Sequence, residues 1–119
     1  MRQGQPPEDT YTVEFSEQFE ADFDACYLRL SRVSPDAARR LQSGVLDACF
    51  SLSQLPRRCS LAPEAEDFAI EVRLLLYRNR RTTYRILYTI FDAATDVSGV
   101  VRILRIRQGA RPEAVTNED

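Results

Sequence analysis

The hydrophobic period of this chain switches from helical to alternating past its middle, and that change restricts what it can fold into. From Phe19 to Leu52 apolar residues recur three and four apart, and beyond a loop from Pro56 to about Asp67 they alternate. The first spacing lays a stripe along a helix, whereas the second lays a face on a strand. Ser16 is placed to cap a first helix, with Glu17 and Glu20 in the opening turn, where the helix dipole favours negative charge. Phe19, Phe23, Cys26 or Tyr27, and Leu30 form its stripe. Ser34, Pro35 and Asp36 mark a second start, followed by Leu41, Val45, Cys49 and Leu52 on one face before Pro56. The short turn from Ser31 to Ser34 predicts an antiparallel helical hairpin.

Ahead of the helices, Tyr11 to Phe15 alternates as a short strand does. After them, Phe68, Ile70, Val72, Leu74 and Leu76 are expected on one side of a strand, with Glu71 and Arg73 on the other. A charged turn, YRNRRT, leads to TYRILYTIF, where Tyr84, Ile86, Tyr88 and Ile90 share a face and Arg85 points away. The last strand, VVRILRIR, places Val101 and Ile103 with Arg105 and Arg107, and Arg102 with Val100, Leu104 and Ile106, so the pattern leaves its buried face open. The expected fold is a two-layer α+β domain: an N-terminal strand, a helical hairpin, then a three-stranded antiparallel meander with the helices on one face. The other face is then free to present arginines. Residues 1–10 are read as a disordered arm, 11–111 as the domain and 112–119 as a flexible acidic tail.

Charge is unevenly distributed along this layout. From Val72 to Arg111, nine arginines against Asp92 and Asp96 leave +7, whereas residues 1–71 carry −6, from seven arginines and thirteen acids, and the tail carries −3. A net charge of −2 therefore conceals a basic meander. Such a surface calls for an anionic partner, nucleic acid or an acidic protein segment, although any single arginine also reads as an ordinary solvated strand residue.

Several chemistries are excluded or weakened. The chain has no histidine, the usual general base of a nucleophilic triad and the commonest transition-metal ligand. Its three cysteines, Cys26, Cys49 and Cys59, fit neither a disulfide framework nor a zinc site, and read as buried thiols except for Cys59 in a polar loop. Its four glycines are scattered, so no phosphate loop is present. Glu64, Glu66 and Asp67 could supply a carboxylate base near arginines, or could be a solvated acidic loop. No cofactor, metal or small-molecule substrate is expected. No stretch has the length of a membrane span, and a soluble cytoplasmic protein is expected.

TYRILYTI at 83–90 and VVRILRIRQGARP at 100–112, within this layout, resemble the RelE/ParE superfamily of toxins from bacterial type II toxin–antitoxin modules, often called plasmid stabilisation proteins. The likeness runs from about Tyr11 to Arg111. It implies a protein that arrests growth and is neutralised by a cognate antitoxin lying across its sheet. Ribonuclease members cut messenger RNA on the ribosome with arginines at the positions matched by Arg85 and Arg111, together with a proton-transfer residue. ParE-type members instead inhibit DNA gyrase by binding. Here Gln108 stands where many relatives have histidine, lysine is absent, and PEAVTNED supplies no aromatic or histidine, which leaves Glu64 as the candidate base. These departures favour a ParE-like gyrase inhibitor, with a RelE-like ribosome-dependent endoribonuclease and an attenuated, non-toxic binding module as alternatives. Arg73, Arg81, Arg105, Arg107 and Gln108 are the expected contacts to target or antitoxin.

Overall fold

The computed structural model describes residues 10–67, 69–95 and 97–109. Strand β1 (Thr12–Phe15) leads into helices α1 (Glu17–Ser31) and α2 (Pro35–Phe50), and after three 3-10 turns come β2 (Arg73–Asn79), β3 (Thr82–Phe91) and β4 (Val100–Gln108). Both helix starts form as the sequence indicates. Ser16 accepts a hydrogen bond from the Phe19 amide (3.0 Å) and Ser34 from the Ala37 amide (3.1 Å). The helical hairpin and the antiparallel meander are both present, so the architecture is α+β. The arm and tail expected at 1–10 and 112–119 lie outside the described residues, except Thr10, which bridges to Gln54.

β1 joins the meander as a fourth strand, parallel to β4, giving the sheet order β1-β4-β3-β2. The pairing reaches only from Thr12↔Val100 to Phe15↔Ile103. Beyond it the chain enters α1, which occupies the rest of the edge of β4: Ser16 donates to the Leu104 carbonyl (2.9 Å) and Asp22 accepts from the Ile106 amide (3.2 Å). An edge that would otherwise expose unpaired backbone groups is thereby closed by side chains of the next element.

The main core lies between the helices and one face of the sheet. Phe19, Phe23 and Cys26 from α1 and Leu41, Val45 and Cys49 from α2 meet Tyr84, Ile86, Tyr88, Val101, Ile103 and Ile106. The buried face of β4 is settled by a bulge. The register shifts between Leu87 and Tyr88, so that Leu87 pairs with Arg105 and Tyr88 with Ile103, and Leu104 is the extra residue. Ile106 thus rejoins Val101 and Ile103 in the core, while Arg105 and Arg107 pair with residues of the opposite face.

The reading of β2 requires correction. Phe68 lies outside the described residues, Ile70 and Leu76 are exposed, and the strand begins only at Arg73. Leu75 and Tyr77 pack against the main core, whereas Val72 and Leu74 turn to a second cluster with Ala62, Ala65, Leu87 and Leu104 on the far side of the sheet. Both faces of RLLLY are apolar, so alternation alone could not say which one meets the helices. Arg73 consequently projects with Tyr88 on the helix side, where it donates to the Cys59 carbonyl (2.7 Å).

Gly44 sits within α2 where Tyr77 crosses it: a Cβ there would lie 1.7 Å from the tyrosine oxygen and 2.5 Å from Cζ. Gly44→Ala should gain about 1 kcal/mol of helix propensity yet destabilise the protein overall, since overpacking costs about 1–3 kcal/mol. Urea unfolding would show the midpoint falling in the single variant and falling less in a Tyr77→Leu background.

Candidate functional site

Residues 60–62 run along the β2 edge, with the Ala62 amide donating to the Val72 carbonyl (2.8 Å) and the Leu74 amide to the Ser60 carbonyl (3.0 Å). This fixes where the following 3-10 turn, Pro63–Asp67, can go. It folds over the sheet face opposite the helices and sets Glu64 on Arg85. The guanidinium donates twice, from Nη2 to Oε1 at 2.7 Å and from Nε to Oε2 at 3.2 Å. Arg107, opposite Arg85 in the β3–β4 register, brings Nη1 to 3.7 Å from Glu64 Oε2. The side chains of Arg85 and Glu64 are only 2% and 7% exposed, whereas that of Arg107 is 38% exposed.

Burial pushes the Glu64 carboxyl upward, but the Arg85 hydrogen bonds, its own backbone amide and the charges of Arg85 and Arg107 outweigh this and hold it below the ordinary value of 4.5. Glu64 therefore remains a carboxylate at neutral pH and a weak proton acceptor. The arrangement can hold an anion beside Arg107 or clamp the loop to the sheet. It presents no free base.

The expectation of an uncovered arginine face is corrected on two counts. First, the Pro63–Asp67 turn and the Ala62–Leu87 cluster cover part of that face. Second, most of the meander arginines have carboxylate partners within the chain. Arg105 donates to Asp22 through Nε (2.7 Å) and Nη2 (3.1 Å), Arg102 to Glu14 (2.7 Å), and Arg73 lies 3.7 Å from Glu71. Burial raises the Asp22 carboxyl, but the Arg105 hydrogen bonds and the Ile106 amide more than compensate and hold it low. The acids of the N-terminal half are thus neutralising the basic half internally, an outcome that composition does not reveal because the partners are far apart in sequence. Arg111 lies outside the described residues, as do the side chains of Glu66 and Asp67.

Arg81 and Gln108 come together elsewhere, on the helix side of the sheet at the β2–β3 hairpin. Arg81 lines a hollow of about 420 Å³ with Arg80 and Asn79. An adjoining hollow of about 190 Å³ is lined by Gln108 and Arg29, whose Nη2 donates to Gln108 Oε1 at 3.3 Å. Arg29 and Arg80 were not singled out by pattern. The signal available was Arg80 itself, the first residue of a two-residue hairpin turn, where a positive φ is expected. Among the described residues no cluster of three or more His, Cys, Asp or Glu could hold a metal ion, and no helix is long and apolar enough to cross a membrane. Cys26 and Cys49 are buried and Cys59 partly so; burial pushes the Cys49 thiol up to about 12.

The family model for the ParE toxin of the type II toxin–antitoxin system, parDE, matches residues 13–112, which covers both helices, all three meander strands and the Glu64 turn. The chain belongs to the ParE toxin family. A search of curated proteins finds no match. Membership makes this protein a type II toxin and gives it an antitoxin as partner. Within this ParE toxin, Arg85 and Glu64 form a single buried unit, and Arg73 and Arg105 serve as internal ties.

Removing one member of that unit leaves the other charge buried without its partner. Glu64→Ala should cost about 3–5 kcal/mol, read from the denaturant midpoint at neutral pH. Because the folded-state carboxyl is held low, the stability it contributes is present above pH 4.5 and is lost as pH falls through the depressed value. The stability gap between wild type and Glu64→Gln should accordingly be widest near neutrality and close as acid titrates the carboxylate. A gap that is constant with pH would show that the pair contributes nothing through charge.

Proposed function

We propose that this ParE toxin arrests growth by binding DNA gyrase, without covalent chemistry of its own. The observation that carries this reading is the condition of Glu64, which is buried, bidentately held by Arg85 and kept ionised well below neutrality. A general base is most effective when its pKa lies near the working pH and it can reach the proton it takes. Glu64 meets neither requirement, and the amide of Gln108 exchanges no proton near neutral pH. What remains is recognition by shape and by the cationic groups left facing solvent.

A second reading, ribosome-dependent cleavage of messenger RNA, draws on one specific observation. Glu64 lies within 4 Å of both Arg85 and Arg107, so a phosphate entering beside Arg107 would meet a carboxylate and two guanidinium groups together. Arginines so placed could stabilise developing negative charge.

Purified toxin is expected to inhibit supercoiling by gyrase and to leave ribosome-bound message uncut. The outcome that would overturn the binding reading is a set of mapped cuts in that message whose rate falls about 10²- to 10⁴-fold in Glu64→Gln, the usual worth of a general base, with supercoiling unaffected by wild type.

A further inference from the structure

We propose that the notch between the β2–β3 hairpin and the C-terminal end of α1 binds a phosphodiester strand, with Arg29, Arg80 and Arg81 on the phosphates. The two hollows described above share Leu30, Thr82 and Tyr84 and so form one cleft, and no acidic residue lines either part. It lies on the side of the sheet opposite Arg85, since Tyr84 and Gln108 pair on the helix-facing side.

The arginines here differ from most of those in the rest of the meander, Arg78 being the described exception, which donates to the Arg80 carbonyl. Arg73, Arg85, Arg102, Arg105 and Arg107 each have a carboxylate within 4 Å; among the described residues Arg29, Arg80 and Arg81 have none. Arg29 has a partial structural role, because it stands in the last turn of α1, where a cation suits the helix dipole. Arg80 has no such role. Its φ is 60°, in the left-handed region that glycine or asparagine enters more readily, and the turn is held from below by Arg78 Nε donating to the Arg80 carbonyl (3.1 Å). An arginine in a conformation that glycine or asparagine would adopt with less strain points to use of its side chain.

The remainder of the lining favours nucleic acid over an acidic peptide. Leu30 and Val33 give apolar contact, and Asn79, Thr82 and Gln108 offer hydrogen-bond donors and acceptors together. A carboxylate only accepts, whereas the edge of a base does both and its face needs an apolar neighbour. Arginine supplies the planar fork that matches phosphate. Gyrase-bound DNA and messenger RNA carry this same backbone, and the cleft chemistry is common to both.

The test is fluorescence anisotropy of the full chain with a labelled single-stranded oligodeoxynucleotide and with the oligoribonucleotide of the same sequence, across a range of salt. No gyrase is present, so the outcome is independent of the target proposed above. Three phosphate contacts on a single strand predict a slope of log affinity against log salt of about −2. Arg80→Gly, which keeps the turn because glycine accepts positive φ, should lessen that slope by about 0.7 and weaken binding about tenfold. Arg39→Gln, the same loss of charge on the exposed side of α2, should leave both unchanged. A preference for one oligonucleotide identifies the source of the strand. An equal loss with Arg39→Gln, no loss with Arg80→Gly, or tighter binding of polyglutamate at the same salt would overturn the proposal.

Discussion

β4 is paired on both sides for only part of its length, and the remainder must satisfy its backbone along the free edge in some other way. β1 covers Val100 to Ile103; from Leu104 onward that edge is taken by α1, through the Ser16 hydroxyl and the Asp22 carboxylate. This handover fixes α1 against the sheet and so fixes the helical hairpin. It coincides with the bulge at Leu104, where the strand turns Arg105 out of the core and toward the carboxylate that also receives the Ile106 amide. Edge closure, helix docking and burial of the β4 face are therefore one arrangement, and loss of Asp22 would disturb all three.

The electrostatics follow the same logic of closure. The −6 of residues 1–71 and the +7 of the meander are brought together by the fold, Glu14 on Arg102, Asp22 on Arg105 and Glu64 on Arg85. The solvent-exposed members of this set contribute little individually, typically about 0–1 kcal/mol each. Glu64 and Arg85 differ, because burial makes each of them costly without the other. Their pairing clamps the Pro63–Asp67 turn on the sheet and leaves Arg107 partly accessible beside it. Of the meander arginines that are described, those without a carboxylate, Arg78, Arg80 and Arg81, stand instead at the β2–β3 hairpin.

Legibility in the sequence varied with how local the physics was. Both N-caps, both helical stripes and the inner face of β3 could be read from residues a few positions apart, and the structure has them. The inner face of the first meander strand is not legible, because Leu74, Leu75 and Leu76 are equally apolar and the inner residues Leu75 and Tyr77 carry no distinguishing mark. Of the expected contact residues, Arg81 and Gln108 share a cleft and Arg107 stays accessible, while Arg73 and Arg105 are engaged by the Cys59 carbonyl and by Asp22. Nothing in their immediate neighbours distinguishes these fates.

By itself the sequence determined the order of elements, the capping of the helices and membership of a toxin family, since periodicity, caps and short motifs are properties of neighbouring residues. The tertiary structure alone decided which arginines are sealed by carboxylates and which face solvent. The Arg105 and Asp22 partners stand 83 positions apart and those of Arg85 and Glu64 stand 21 apart. An ion pair of that separation exists only once a bulge, a parallel edge strand and a folded-over turn have set its members side by side.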